Sequence, residues 1–115
     1  MDDALEMTLL FDYYGELLTE KQRACVDMRY NQDLSLGEIA QELGVSRQGV
    51  YDNLSRAEAM LRNMEEKTGF VRRDEKVRRA AAEIAEAAQK LLKTGDRQCA
   101  DLAQAILSQA RELEE

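Results

Sequence analysis

Apolar residues recur every three to four positions along most of the chain, the period of an α-helix rather than of a strand. Met7, Leu10, Phe11 and Tyr14 predict a first helix starting at Asp2 or Asp3, whose carboxylates can cap free N–H groups. Gly15 marks a weakening near its end. Thr19-Glu20-Lys21-Gln22 has the form of a capping box, in which the hydroxyl accepts from one orphan amide and the Gln side chain returns to the Thr amide. It opens a helix expected to reach about Tyr30 and to end at Asn31-Gln32-Asp33. Ser35-Leu36-Gly37-Glu38 repeats the device and opens a short helix ending at Leu43. Gly44-Val45-Ser46 is a tight connection. Ser46 caps a helix from Arg47 to about Lys67, and Thr68-Gly69 closes it. A helix from about Asp74 to Lys93 follows, and Asp96 caps a last one to about Leu113, six in all.

Composition agrees with this pattern. The chain has no Pro and fifteen alanines among its 115 residues, so little in it breaks a helix. The prediction is an all-α protein, with a domain at 1–69 and a helical extension at 70–115. The extension carries two apolar stripes. One is Val77, Ala81, Ile84, Ala88 and Leu91; the other is Cys99, Leu102, Ala103, Ile106, Ala110 and Leu113. They serve either as core packed on the domain or as the surface of a homodimer, because Ala-rich stripes allow close helix approach.

Charge and chemistry narrow the functions. The chain has no His and no Trp, which excludes histidine bases and His-ligated metals. No nucleophile has a base beside it and no Gly-rich loop cradles phosphate, so the expectation is a non-enzyme without cofactor or metal. Cys25 and Cys99 are far apart and read as buried, reduced thiols of a cytosolic protein. No apolar run approaches a membrane span, and Met-Asp-Asp is not the start of a secretory signal. The net charge of −7 is uneven. Residues 1–18 carry five acids and no base (−5), residues 19–69 nine acids and seven bases (−2), and residues 70–115 nine of each. The acidic first helix serves solubility or the docking of a basic partner. The basic cluster of Arg72, Arg73, Lys76, Arg78 and Arg79 reads as a solvated helix start or as a phosphate-contacting patch.

Residues 36–61 carry the most specific pattern. Ile39, Leu43, Val45, Val50, Leu54 and Leu61 line two short helices. Ala40 stands where they cross, and Gly44, four residues on, can take positive φ. Val50 follows six residues after that. This spacing is that of a helix-turn-helix, whose second helix lies in a nucleic-acid groove. Val50, Leu54, Ala57 and Leu61 should face inward. Arg47, Gln48, Tyr51 and Arg56 are the candidate nucleic-acid-binding residues: the first two as base-edge and phosphate partners, the others able to stack or to reach phosphate. Asp52 stands among them and opposes phosphates. Residues 46–62 total only +1, too little for tight non-specific binding.

Two stretches of this sequence resemble the bacterial YlxM family, small helix-turn-helix proteins similar to region 4 of sigma factors. They are Leu10-Phe11-Asp12-Tyr13-Tyr14-Gly15-Glu16-Leu17-Leu18-Thr19-Glu20-Lys21-Gln22-Arg23, and Leu34 to Ala40 followed by Val45 to Asn53. The resemblance covers about residues 5–67. It implies a helix-turn-helix of the winged-helix superfamily type without a wing, in a cytoplasmic regulatory protein. It also implies a part in the signal recognition particle pathway, through the particle's RNA or its GTPase component, and brings no catalytic residue. A DNA-binding transcriptional regulator and a purely protein-binding adaptor are the alternatives.

Overall fold

The computed structural model describes residues 3–114, so the candidate cap Asp2 lies outside the described residues. In order these form α1 (Asp3–Tyr14), a 3₁₀ turn (Gly15–Leu17), α2 (Glu20–Val26), a π-helical turn (Asp27–Asn31), α3 (Leu36–Leu43), α4 (Arg47–Thr68), α5 (Phe70–Thr94) and α6 (Arg97–Glu114). The described residues are all-α, with the six helices expected.

The helix starts follow from local hydrogen bonds. At α2 the Gln22 amide donates to Thr19 Oγ1 at 3.2 Å and the Thr19 amide to Gln22 Oε1 at 3.1 Å. At α3 the Glu38 amide donates to Ser35 Oγ at 3.1 Å and the Ser35 amide to Glu38 Oε1 at 3.0 Å. These bonds hold the Glu38 carboxyl below its ordinary pKa. Ser46 Oγ accepts from the Gly49 amide at 2.9 Å, and Asp96 Oδ1 from the Cys99 amide at 2.9 Å.

The turn between α3 and α4 rests on Gly44, at φ 66° and ψ 35°, whose amide donates to the Ala40 carbonyl. A Cβ built there would meet nothing within 4 Å, so substitution strains only the backbone. Gly44→Val should cost about 1–2 kcal/mol, the left-handed penalty for a residue bearing a Cβ. Thermal denaturation measures it, and an unchanged midpoint would contradict this account of the turn.

Two helix boundaries differ from expectation. The regular helix at α2 stops at Val26 and continues as a π-turn. There Asp27 is the anchor: its carboxylate accepts from Asn31 Nδ2 and Gln32 Nε2, both at 2.8 Å, and its carbonyl accepts from the Gln32 amide at 3.1 Å. Asp33 then takes a left-handed φ of 57°, and Asp is among the residues that tolerate one. Likewise α5 begins at Phe70, not near Asp74. Its first amides are satisfied from behind, that of Phe70 by Thr68 Oγ1 at 3.4 Å and that of Val71 by Glu65 Oε1 at 3.1 Å. No acidic cap is then required.

The chain divides into two compact units, residues 1–71 and 72–115. In the first, α4 packs against α1, α2 and α3. Met7, Leu10, Cys25, Val26, Ile39, Val50, Ala57 and Leu61 are buried at the centre. Tyr14 joins them, its hydroxyl donating to Glu65 Oε1 at 2.7 Å and lying 2.5 Å from Thr68 Oγ1. In the second unit, Ala85 and Ala88 of α5 meet Ala103, Leu107 and Ala110 of α6. Both cysteines are free thiols. Cys25 is buried as expected, but Cys99 is only half-buried, because it occupies the first turn of α6 at the end of this small core.

Candidate nucleic-acid interface

In α4 the buried stripe is Val50, Leu54, Ala57 and Leu61, the residues that helical periodicity turns inward. At 100° per residue, Asp52 stands about 170° from the middle of that stripe, the centre of the exposed face. Gln48 and Arg56, four residues to either side, flank it. Arg47 and Tyr51 lie nearer the edge of the face. All four candidate residues are solvent-exposed, with Tyr51 at 55%. The structure therefore gathers Gln48 and Arg56 around a carboxylate and sets Arg47 and Tyr51 on the helix flank.

One contact gives Gln48 a second role. Its Nε2 donates to Asp52 Oδ1 at 3.1 Å, an i, i+4 pair of the kind that steadies a helix surface. A base edge or phosphate that took the Gln48 amide would have to compete with that bond. Behind the turn, Gly49 leaves room for the Ser46 cap: a Cβ there would come within 3.2 Å of Ser46 Oγ. Asn53 Nδ2 donates to the Gly49 carbonyl at 3.0 Å. The start of α4, which holds Arg47 and Gln48, is thus fixed by its own side chains.

Sequence reasoning missed a tie farther along α4, on the same flank as Arg47 and Tyr51. The Tyr30 hydroxyl donates to Glu58 Oε1 at 2.6 Å. The two residues are 28 positions apart, and nothing local pairs them. Burial, and after it the Glu58 carboxylate, push the Tyr30 phenol up to about 12. The folded state holds this proton more tightly than the unfolded chain, whose phenol titrates near 10. The contribution to stability is therefore whole below about pH 10 and is lost as pH rises through about 12. Tyr30→Phe should flatten the fall in stability across that window, read from urea denaturation at a series of alkaline pH values. An unaltered slope would refute the assignment.

The other basic residues, Arg72, Arg73, Lys76, Arg78 and Arg79, are exposed along α5. Among the described residues no group of three His, Cys, Asp or Glu side chains is placed to hold a metal. No helix among them is long and apolar enough to cross a membrane.

Two helices joined at a left-handed glycine, the second bearing an exposed polar face, define a helix-turn-helix protein. The sequence matches the family described as "Putative helix-turn-helix protein, YlxM / p13 like" over residues 1–101, and the chain belongs to that family. Its relatives include a UPF0122 protein of Thermoanaerobacter sp. (strain X514), 57% identical over 76 residues, 66% of this chain and 65% of that protein. Another is from Halalkalibacterium halodurans, 49% identical over 90 residues, 78% of this chain and 83% of the relative. A third is from Bacillus cereus (strain AH187), 46% identical over 84 residues, 73% and 76% of the two chains. The match thus spans a little under two thirds of the Thermoanaerobacter protein.

Proposed function

We propose that this chain is a cytoplasmic regulatory accessory factor that binds nucleic acid through the first turns of α4, its target being the RNA of the signal recognition particle. The observation that carries the reading is the placement of Arg47, Gln48 and Tyr51. All three are exposed, on a helix start fixed by the Ser46 cap and the Gly44 turn, where helix-turn-helix proteins meet base edges and phosphates. Arg47 contacts a base edge or phosphate, Tyr51 offers an aromatic face for an unstacked base, and Arg56 reaches the backbone. Asp52 at the centre of the face keeps non-specific phosphate binding weak and leaves recognition to a few placed contacts. The choice of RNA rests on the resemblance to the YlxM family.

A second reading is favoured by the charge. Residues 1–71 hold 14 acids and 7 bases, so the whole net charge of −7 belongs to the helix-turn-helix unit. A surface of that sign suits a basic protein partner, and the chain would then be an adaptor. Capture from a cell lysate on the immobilised chain, with and without nuclease, separates the two. A nuclease-sensitive catch containing the particle RNA supports the RNA reading. Duplex DNA in its place points to an operator-binding regulator, and a protein catch indifferent to nuclease supports the adaptor.

A further inference from the structure

The second unit is a pair of helices with a core too small for its length. The side chains that meet between α5 and α6 are mainly alanines: Ala85 and Ala88 on one helix, Ala103 and Ala110 on the other, with Leu107 and Leu92. Leu107 apart, most of the large apolar residues of the same helices are turned outward. Val77 is 39% exposed, Ile84 44%, Leu91 43%, Ile106 43% and Leu113 55%. These positions follow one rule. Along α5 the series 77, 81, 84, 88, 91 steps by four and three in turn, and along α6 the series 99, 103, 106, 110, 113 does the same. That is the seven-residue repeat of a helix bundle. Apart from the half-buried Cys99, its members alternate between small and buried (Ala81, Ala88, Ala103, Ala110) and large and exposed.

A hairpin of 44 residues, 72–115, is near the size at which domains need disulfides, metals or association to hold together. The exposed Ile84, Leu91, Ile106 and Leu113 give association an apolar surface to bury. We infer that the outward face of α5 and α6 is a homodimer interface, on which a second copy of the same hairpin closes a four-helix bundle.

Three further observations select a second copy as the occupant. Residues 72–115 carry nine bases and nine acids, so two such units meet without net repulsion. The face also has the right size. Eighteen residues of α6 make a helix about 27 Å long. Two helices side by side, each about 10 Å across, give a face of roughly 500 Å² in projection, on the scale of the about 800 Å² of folded surface each partner buries in a standard interface. Its shape is complementary to itself. Ile84, Ala105, Ile106, Gln109, Ala110 and Leu113 line a groove of about 340 Å³, wide enough to receive a large side chain from a facing helix. Small layers set against large ones interdigitate, and an isologous dimer needs one patch that fits its own copy.

Sedimentation equilibrium of the full chain tests this. The wild type should run at twice 13.1 kDa at roughly micromolar concentration, with a dissociation constant that moves less than about threefold between low and high salt, because the contact is apolar. Ile84→Glu combined with Ile106→Glu should give the 13.1 kDa monomer. Should that variant lose its helices, Ile84→Ala with Ile106→Ala replaces it and should raise the dissociation constant at least tenfold. A wild type that stays monomeric at high concentration overturns the inference. So does a dimer that neither pair of substitutions weakens.

Discussion

Ile39→Ala should lower the unfolding free energy of the helix-turn-helix unit by about 2–5 kcal/mol, the usual cost of deleting that much of a fully buried aliphatic side chain. Ile39 is 0% exposed and belongs to the core that α3 shares with α1, α2 and α4. Part of the cost is lost transfer free energy; the rest is the cavity left among neighbours held by two capping boxes and a left-handed turn, which limit collapse. Against a total stability of about 5–15 kcal/mol for a domain, such a loss is large, and the midpoint of thermal unfolding should fall by roughly 10–30 °C. Leu5→Ala serves as the control. Leu5 is 55% exposed on α1, and its removal should change stability by less than about 0.5 kcal/mol. Urea denaturation followed by circular dichroism reads both. An Ile39→Ala variant within 1 kcal/mol of its parent, or equal effects at the two sites, would contradict the core described above.

Much of this fold is legible because its signals are local. A capping box needs four consecutive residues, and both boxes form. The Gly44 turn follows from a single glycine between two amphipathic stretches, and the inward face of α4 follows from helical periodicity. What the sequence hides depends on distant or competing contacts. The π-turn after Val26 arises because one carboxylate, Asp27, gathers Asn31 and Gln32. The early start of α5 depends on Glu65 reaching forward to the Val71 amide. Tyr30 and Glu58 are joined only by the packing of the unit. In the second unit periodicity finds the apolar stripes but not the split within them, in which the alanines go inward and the large residues outward. At the candidate interface, the exposure of Gln48, Tyr51 and Arg56 is readable from helical spacing and that of Arg47 from its place at the start of α4, and so is the i, i+4 relation of Gln48 to Asp52. The capture of the Gln48 amide by that carboxylate was a matter of rotamer.

Arg47 and Asp52 are expected to act on nucleic-acid affinity in opposite directions. Arg47→Ala should weaken binding by about 1–3 kcal/mol, roughly five- to 150-fold, the range for an arginine that reads a base edge. The side chain is exposed at the first position of α4, so its loss leaves the core intact. Asp52→Asn should tighten binding by roughly two- to fivefold at low salt, since it removes a negative charge within a Debye length of the approaching backbone. Asn keeps an acceptor for Gln48 Nε2, so the local hydrogen bond survives and the change reports charge alone. The gain should fade as salt screens the phosphates, whereas a base-edge contact at Arg47 persists. An adaptor that recognises a protein gives neither effect on RNA or DNA.

Fluorescence anisotropy of labelled signal recognition particle RNA, titrated with the full chain from about 50 mM to about 500 mM salt, puts the central reading to its most direct test. Binding should be measurable at low salt, tighter than to duplex DNA of similar length. Its affinity should fall with salt on a log–log slope of roughly −1 to −3, the signature of a few phosphate contacts rather than a basic clamp. No binding of either nucleic acid at the lowest salt would contradict the claim that α4 is a nucleic-acid-reading helix and leave its exposed face to a protein.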